Sequence, residues 1–243
     1  DFKTDKYNFY IEHQAKNWAS GYQFPAVERG DIIRAEIPHQ IPAQTQALMM
    51  NQRRPIFAQR KVRQALGLLF DFEWTNSTLF NNAYLRAASY YPNSDFAATG
   101  KPKGREWLLL APHRQQLPKG LFTTPFSLPK TLGNGIPRDT LRQALELFRQ
   151  AGWNLSGQRL VNSRGEPLRF EILLVNANLE RIFQPYVQNL ARIGIDVSLR
   201  TIDPAQYKQR LDQYDFDMIL STLPQSLNPG LEQRLYFHSS QAN

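Results

Sequence analysis

The chain contains no cysteine. That removes disulfides, thiolate nucleophiles and cysteine-ligated zinc in one step. It suits a compartment where a stray thiol would be oxidised, such as the bacterial periplasm. No apolar run reaches the ~18 residues of a spanning helix, so membrane insertion is not expected. Histidine is scarce. His13, His39, His113 and His238 stand on four separate segments, with no i, i+4 pair and no HExxH context. Gly133-Asn134-Gly135 reads as a turn rather than a phosphate loop, because no strand leads in and no Lys-Ser/Thr follows. A G-x-S-x-G elbow is missing, and the acidic residues are too scattered to pair as a hydrolase site. The chain therefore reads as a non-enzyme, with no metal and no cofactor implied. The opening Asp1-Phe2-Lys3-Thr4-Asp5-Lys6 is polar and not a signal peptide. Without an initiator methionine, the expectation is a processed chain or an excised fragment.

What is present is enough for a sizeable core. A length of 243 residues at 42% hydrophobic content fits one large domain or two small ones. The net charge of +8 raises nucleic acid as a partner. The distribution argues against it, because basic residues are spread throughout with one cluster at Arg53, Arg54, Arg60, Lys61 and Arg63. No RNP motif, zinc finger or basic tail accompanies that cluster, which reads as a solvated face or a surface for an anionic partner. No nucleic-acid partner is expected.

Along the chain, Val62, Ala65, Leu66, Leu69 and Phe70 fall on one face of a helix over about 59–70, entered after Pro55. A second helix is expected over about 72–82. Before them, Tyr7–Ile11, Asp31–Ile37 and Thr45–Asn51 read as strands and Lys16–Ala19 as a helical turn ended by Gly21. Residues 93–138 carry eight prolines or glycines between Gly100 and Gly135 and little periodicity. They read as a loop-rich insertion pinned by Trp107 and Phe122. Asp139 is the expected N-cap of a helix with Leu141, Ala144, Leu145 and Phe148 inward and Gly152 as a left-handed stop. Arg159–Asn162 and Leu168–Asn176 read as strands around the turn Ser163-Arg164-Gly165. Next come a helix over Leu179–Ile193, kinked or started late by Pro185, and a strand Ile195–Thr201. A helix from Asp203-Pro204 and a strand Phe216–Thr222 complete a βαβαβ unit with right-handed crossovers.

Several ordered stretches resemble family 5 extracellular solute-binding proteins. They are Pro55, Phe57, Val62-Arg63-Gln64-Ala65-Leu66 and Asp71; Asn81–Pro92; Arg142-Gln143-Ala144-Leu145 with Ala151-Gly152-Trp153; Ile193-Gly194-Ile195-Asp196-Val197; and Asp215-Phe216-Asp217-Met218. Arg53–Phe57, Ala97–Gly100 and Gln225–Gly230 are similar to a YejA-type subgroup associated with oligopeptide and microcin C uptake. The resemblance implies an α/β (α+β) fold, a lobe of the type II periplasmic-binding-protein kind with a mixed sheet flanked by helices. It implies that residues 1–243 form one lobe, the second of two, with 93–138 inserted and 223–243 crossing toward the other lobe. It further implies a monomeric periplasmic receptor that captures oligopeptides or peptide-like compounds by lobe closure and delivers them to the permease subunits of an ABC importer. A basic interaction module that binds an acidic partner is the alternative.

The candidate ligand contacts are Gln225, Ser226 and Asn228, on the segment leaving the last strand, where open α/β sheets bind ligands. In oligopeptide-binding relatives this segment carries an acid for the ligand's α-amino group, and Gln225 here removes that charge. Tyr90 and Tyr91 offer flat area and a hydroxyl, unless one of the rings is a core residue. Asn51, at a strand end, and Arg53, as a carboxylate partner, complete the set. Each has an ordinary reading too, as a polar loop, a packed side chain or a surface arginine.

Overall fold

The computed structural model describes residues 6–241. Its helices are α1 (Ala15–Ser20), α2 (Pro25–Glu28), α3 (Pro55–Ala58), α4 (Arg60–Leu68), α5 (Phe72–Leu79), α6 (Gly104–Leu110), α7 (Arg138–Gln150), α8 (Glu180–Ala191), α9 (Pro204–Asp212) and α10 (Glu232–Phe237). Its strands are β1 (Thr45–Met50), β2 (Asn154–Ser156), β3 (Arg159–Val161), β4 (Arg169–Leu174), β5 (Asp196–Thr201) and β6 (Met218–Leu223). The main sheet has the order β1-β6-β4-β5. β4 is parallel to both β5 and β6, and β1 closes the other edge antiparallel to β6. The run β4–α8–β5–α9–β6 is the expected βαβαβ unit within a mixed sheet.

Period-two alternation divides the core between the two faces of this sheet. Phe170, Ile172, Leu174 and Met218 pack with Phe57, Val62, Ala65, Leu66 and Leu69 around α4, with Ala144 and Phe148 of α7, and with Phe183, Tyr186 and Leu190 of α8. On the opposite face Leu173, Phe216 and Ile219 meet Tyr207 and Leu211 of α9. Helix α4 ends inside the protein, where its last carbonyls need donors. Tyr186 Oη supplies one to Leu66 O at 3.1 Å, and Asn189 Nδ2 supplies another to Leu69 O at 3.2 Å. The inward stripe of α4 follows the expected face. Helix α7 ends at Gly152, whose φ of +87° is the left-handed stop expected from sequence.

Several local expectations differ from the structure. Tyr7–Ile11 and Asp31–Ile37 form no strand; Phe9, Ile11, Ile33 and Ile37 lie exposed with no neighbouring edge to pair with. Helix α7 starts at Arg138 with Pro137 as its N-cap, so Asp139 lies in the first turn and makes no cap bond. Helix α8 begins at Glu180, led by a 3-10 turn over Ala177–Leu179, and runs through Pro185 without a late start. Strand β2 pairs antiparallel with β3 as a small hairpin that sequence periodicity did not reveal. Within residues 93–138, Trp107 is 45% exposed. One tie comes from Thr131, whose hydroxyl bonds the Asp71 carboxylate and lies 2.7 Å from Glu73 Oε2, and another from Arg86, which donates to Pro129 O. Gly135 N–H donates to Asp71 Oδ2 at 3.0 Å, so the buried acid at the start of α5 anchors this segment.

Candidate ligand-binding site

Register decides which candidate residues can meet. Thr45 pairs with Leu223 and Met50 with Met218, so the start of β1 lies beside the end of β6. A six-residue ladder is ~17 Å long between its end positions. Residues before Thr45 and after Leu223 therefore share the carboxyl end of the parallel strands, and Asn51 lies at the opposite end.

At the carboxyl end the chain brings five of the seven candidates together. Gln225 is 8% exposed, and its Oε1 accepts from Gln233 Nε2 at 2.7 Å. Ser226 Oγ lies 2.6 Å from Asn228 O and 3.0 Å from Glu232 Oε1, which fixes a tight turn. Glu232 also accepts from Gly230 N–H at 2.8 Å. That backbone bond, with those from its own amide, Gln233 and Ser226, holds the Glu232 carboxyl down at about 2. Tyr90 stands edge-on to Phe237, with ring centroids 4.9 Å apart, and so joins α10 to the segment after α5. Tyr91 is next to Pro92, whose carbonyl accepts from Ala43 N–H at 2.8 Å, two residues before β1. Burial, and then the Glu232 charge, raise the Tyr91 hydroxyl above its usual range.

Three buried side-chain polar atoms have no partner among the described residues: Thr45 Oγ1, Tyr91 Oη and Gln225 Nε2. All three belong to this end of the sheet. Native proteins rarely leave such groups unpaired, and each costs about 1–3 kcal/mol when they do. Two hydroxyls and an amide N–H together form a small donor-rich set suited to carbonyl oxygens. Thr45 and Glu232 were not singled out from sequence. A hydroxyl opening a strand just after Pro38 and Pro42 was the available signal for Thr45, and a lone acid beyond Gly230 the signal for Glu232.

The other two candidates lie at the far end. Asn51 is 5% exposed; its Nδ2 donates to Tyr214 O at 2.9 Å and Phe216 O at 2.8 Å, and its Oδ1 accepts from Arg53 N–H at 3.1 Å. Its side chain holds the start of β6 against the end of β1. The Arg53 guanidinium stacks 3.8 Å over the Tyr214 ring. Arg54 next to it bridges Asp215 at 2.8 Å and Asp217 at 3.1 Å. Neither Asn51 nor Arg53 reaches the Gln225 cluster.

The sheet is open and mixed, and its polar, under-satisfied residues lie at the strand carboxyl ends, where α/β folds place ligands. The chain shares its fold with the oligopeptide-binding protein AppA from Bacillus subtilis, solved with a nonapeptide: TM-score 0.59 at 20% identity, over 83% of this chain and 34% of that one. Its sequence matches along residues 1–243 the model of bacterial extracellular solute-binding proteins, family 5 Middle, and the chain belongs to that family. Among relatives, it is 38% identical over 245 residues to the probable peptide-binding protein YejA of Agrobacterium fabrum, covering 100% of this chain and 40% of the relative. It is 35% identical over 240 residues to the peptidoglycan-binding protein YepA of the same organism, covering 96% and 39%. The chain thus spans about two fifths of the length of the relatives it matches. No helix among the described residues is long and apolar enough to cross a membrane.

Proposed function

We propose that this chain is a lobe of a non-enzymatic, extracytoplasmic receptor that captures an oligopeptide or peptide-like compound for an ABC importer. The reading draws on the family, on the peptide-binding relative and on one observation above others. Thr45 Oγ1, Tyr91 Oη and Gln225 Nε2 are buried without partners among the described residues, at the same end of the sheet. A ligand rich in main-chain carbonyls would satisfy them. β6 adds to this, because past Ile219 it has no ladder partner on its β4 side, and a strand edge is a template for extended peptide. Ser226 and Asn228 shape the turn that presents Gln225, and Tyr90 backs it through Phe237. Capture would occur by closure of a second lobe over this end, with the ligand buried between. The peptidoglycan-binding relative widens the ligand class to peptides carried on cell-wall fragments, beside free oligopeptides and microcin-C-like compounds.

The test is calorimetry on the complete protein with a mixed tri- to pentapeptide library and then with the peptides it retains. Gln225→Ala and Tyr91→Phe should each weaken binding by about 1–2 kcal/mol, the worth of a hydrogen bond to a ligand. Unchanged affinity in both variants would remove this end of the sheet from the site. An absence of any retained peptide would remove the peptide reading itself.

A further inference from the structure

Three stretches of the chain gather exposed apolar side chains, and one of them carries a strong charge. Phe9, Ile11, Ile33 and Ile37 lie within residues 6–41, where four Lys or Arg are matched by four Asp or Glu. Leu231, Leu235 and Phe237 lie in and just before α10, where Glu232 is balanced by Arg234. The third group is Trp107, Leu108, Leu109, Phe126 and Leu132, within residues 101–132. That stretch holds six cations, Lys101, Lys103, Arg105, Arg114, Lys119 and Lys130, against the single acid Glu106. It therefore supplies a net +5 of the chain's +8.

Geometry keeps the two kinds of group side by side. None of the residues from 93 to 136 is buried, so α6 and the 3-10 turns after it, Ala111–His113 and Lys119–Phe122, lie on the surface. Trp107, Leu108 and Leu109 are consecutive, and the two leucines are 64% and 74% exposed. Arg105 stands three and four residues before those leucines, the spacing that makes neighbours on a helix surface. An arginine so placed can lay its aliphatic stem beside them and keep its charge outermost. Arg114 lies 5.4 Å from the Phe122 ring centroid, a second cation beside an aromatic. The stretch is held at its far end, where Thr131 and Gly135 bond Asp71 and Arg86 bonds Pro129 O.

A protein partner and a lipid surface make different demands on such a face. The cores of protein interfaces are depleted of charge, and of lysine in particular, whereas four of these six cations are lysines. An anionic bilayer asks for basic side chains at the headgroups, with Trp and Leu beside them to enter the acyl boundary. Tryptophan suits that boundary, with an apolar ring system and one N–H for the wet side. We propose that residues 101–132, α6 foremost, form a contact surface for an anionic phospholipid bilayer. The chain lies against the lipid and does not span it, since no helix among the described residues is long and apolar enough to cross. The contact is independent of peptide capture, because Thr45, Tyr91 and Gln225 take no part in it.

The experiment floats the complete protein with vesicles of phosphatidylcholine alone or with an equal part of phosphatidylglycerol. Binding should be at least about tenfold tighter with phosphatidylglycerol and should fall steeply as salt rises. Lys101→Gln, Lys103→Gln and Arg105→Gln together should weaken it on the order of 100-fold, at about fivefold per cation. Leu108→Gln with Leu109→Gln should weaken it at least about tenfold while every charge stays in place. All five positions are exposed, so thermal melts of both variants should match the unaltered protein. Arg60→Gln, Lys61→Gln and Arg142→Gln remove the same charge from α4 and α7, and should change vesicle affinity by less than about threefold. An equal loss in that control would overturn the proposal, because overall charge alone would then explain the attraction. Binding that ignores the leucine changes would also overturn it, since the apolar group would not enter the lipid. Absence of flotation with either vesicle would overturn it as well, and would mean that another part of the protein or a protein partner covers this face.

Discussion

Thr45 faces Leu223 across the β1–β6 ladder, and its buried hydroxyl has no partner among the described residues. The chain therefore comes into the sheet and leaves it side by side, at the end where Gln225 and Tyr91 also lie. A ligand that touched this end would bear on both segments together.

That hydroxyl should trade stability against function. Thr45→Val keeps the side-chain shape and removes a polar group whose burial is uncompensated. The ligand-free protein should gain up to about 1 kcal/mol, a rise of a few degrees in Tm, while peptide affinity falls. Thermal melts with and without peptide separate the two effects. A loss of stability in the ligand-free protein would show that the hydroxyl is already satisfied.

Asn51 should behave in the opposite way. Its amide makes three hydrogen bonds, two of which join the end of β1 to the start of β6. Asn51→Ala leaves the carbonyls of Tyr214 and Phe216 without that donor, and a loss of about 2–4 kcal/mol is expected. Urea unfolding of the ligand-free protein measures it. A change below about 0.5 kcal/mol would mean that those carbonyls find other partners.

Asn51 also shows where sequence reasoning stops. That Thr45–Asn51 is a strand can be read from its composition, and so can the inward stripe of α4 and the β4–α8–β5–α9–β6 alternation. Which end of β1 lies beside Gln225 cannot, because it depends on an antiparallel pairing across more than 160 residues. Grouping Asn51 and Arg53 with Gln225 was an expectation about register, and register is a tertiary property. Tyr7–Ile11 and Asp31–Ile37 failed for a related reason. Their β-branched and aromatic residues favour a pleated surface only when a neighbouring strand supplies one. That Gln225, Ser226, Asn228, Tyr90 and Tyr91 lie at one end of the sheet was legible, because the end of the last strand and the family resemblance pointed to those segments. Thr45 was not, since an unpartnered hydroxyl is defined by what surrounds it.

Gly194 and Gly152 offer a paired test of local strain. Both have positive φ, +78° and +87°. A methyl group on Gly194 would fall 2.6 Å from Gln158 O and 2.8 Å from Leu160 N, while one on Gly152 would meet nothing within 4 Å. Gly152→Ala should cost only the left-handed penalty, about 1–2 kcal/mol. Gly194→Ala should cost more, because it also forces β3 away and breaks the bond from Leu160 N–H to Gly194 O. Equal unfolding free energies for the two variants would show that the close approach relaxes without cost.

Glu232 makes the turn after β6 sensitive to acid. Its carboxylate takes the Gly230 amide, the Ser226 hydroxyl and the Gln233 amide, and its pKa falls from an ordinary 4.5 to about 2 in the folded chain. A group whose folded pKa is depressed stabilises the fold fully above its unfolded value and loses that contribution as pH falls toward the folded one. The turn from Ser226 to Gln233 should therefore hold at neutral pH and loosen progressively between about 4.5 and 2. Carbon-detected NMR of the Glu232 carboxyl should give a midpoint near 2, with the Gly230 amide shifting over the same range. In Glu232→Gln the Gly230 shift should lose its pH dependence across that window. A Glu232 midpoint close to 4.5 would show that the Gly230 and Ser226 bonds do not persist in solution, and Gln225 would then lack the fixed turn that presents it to a ligand.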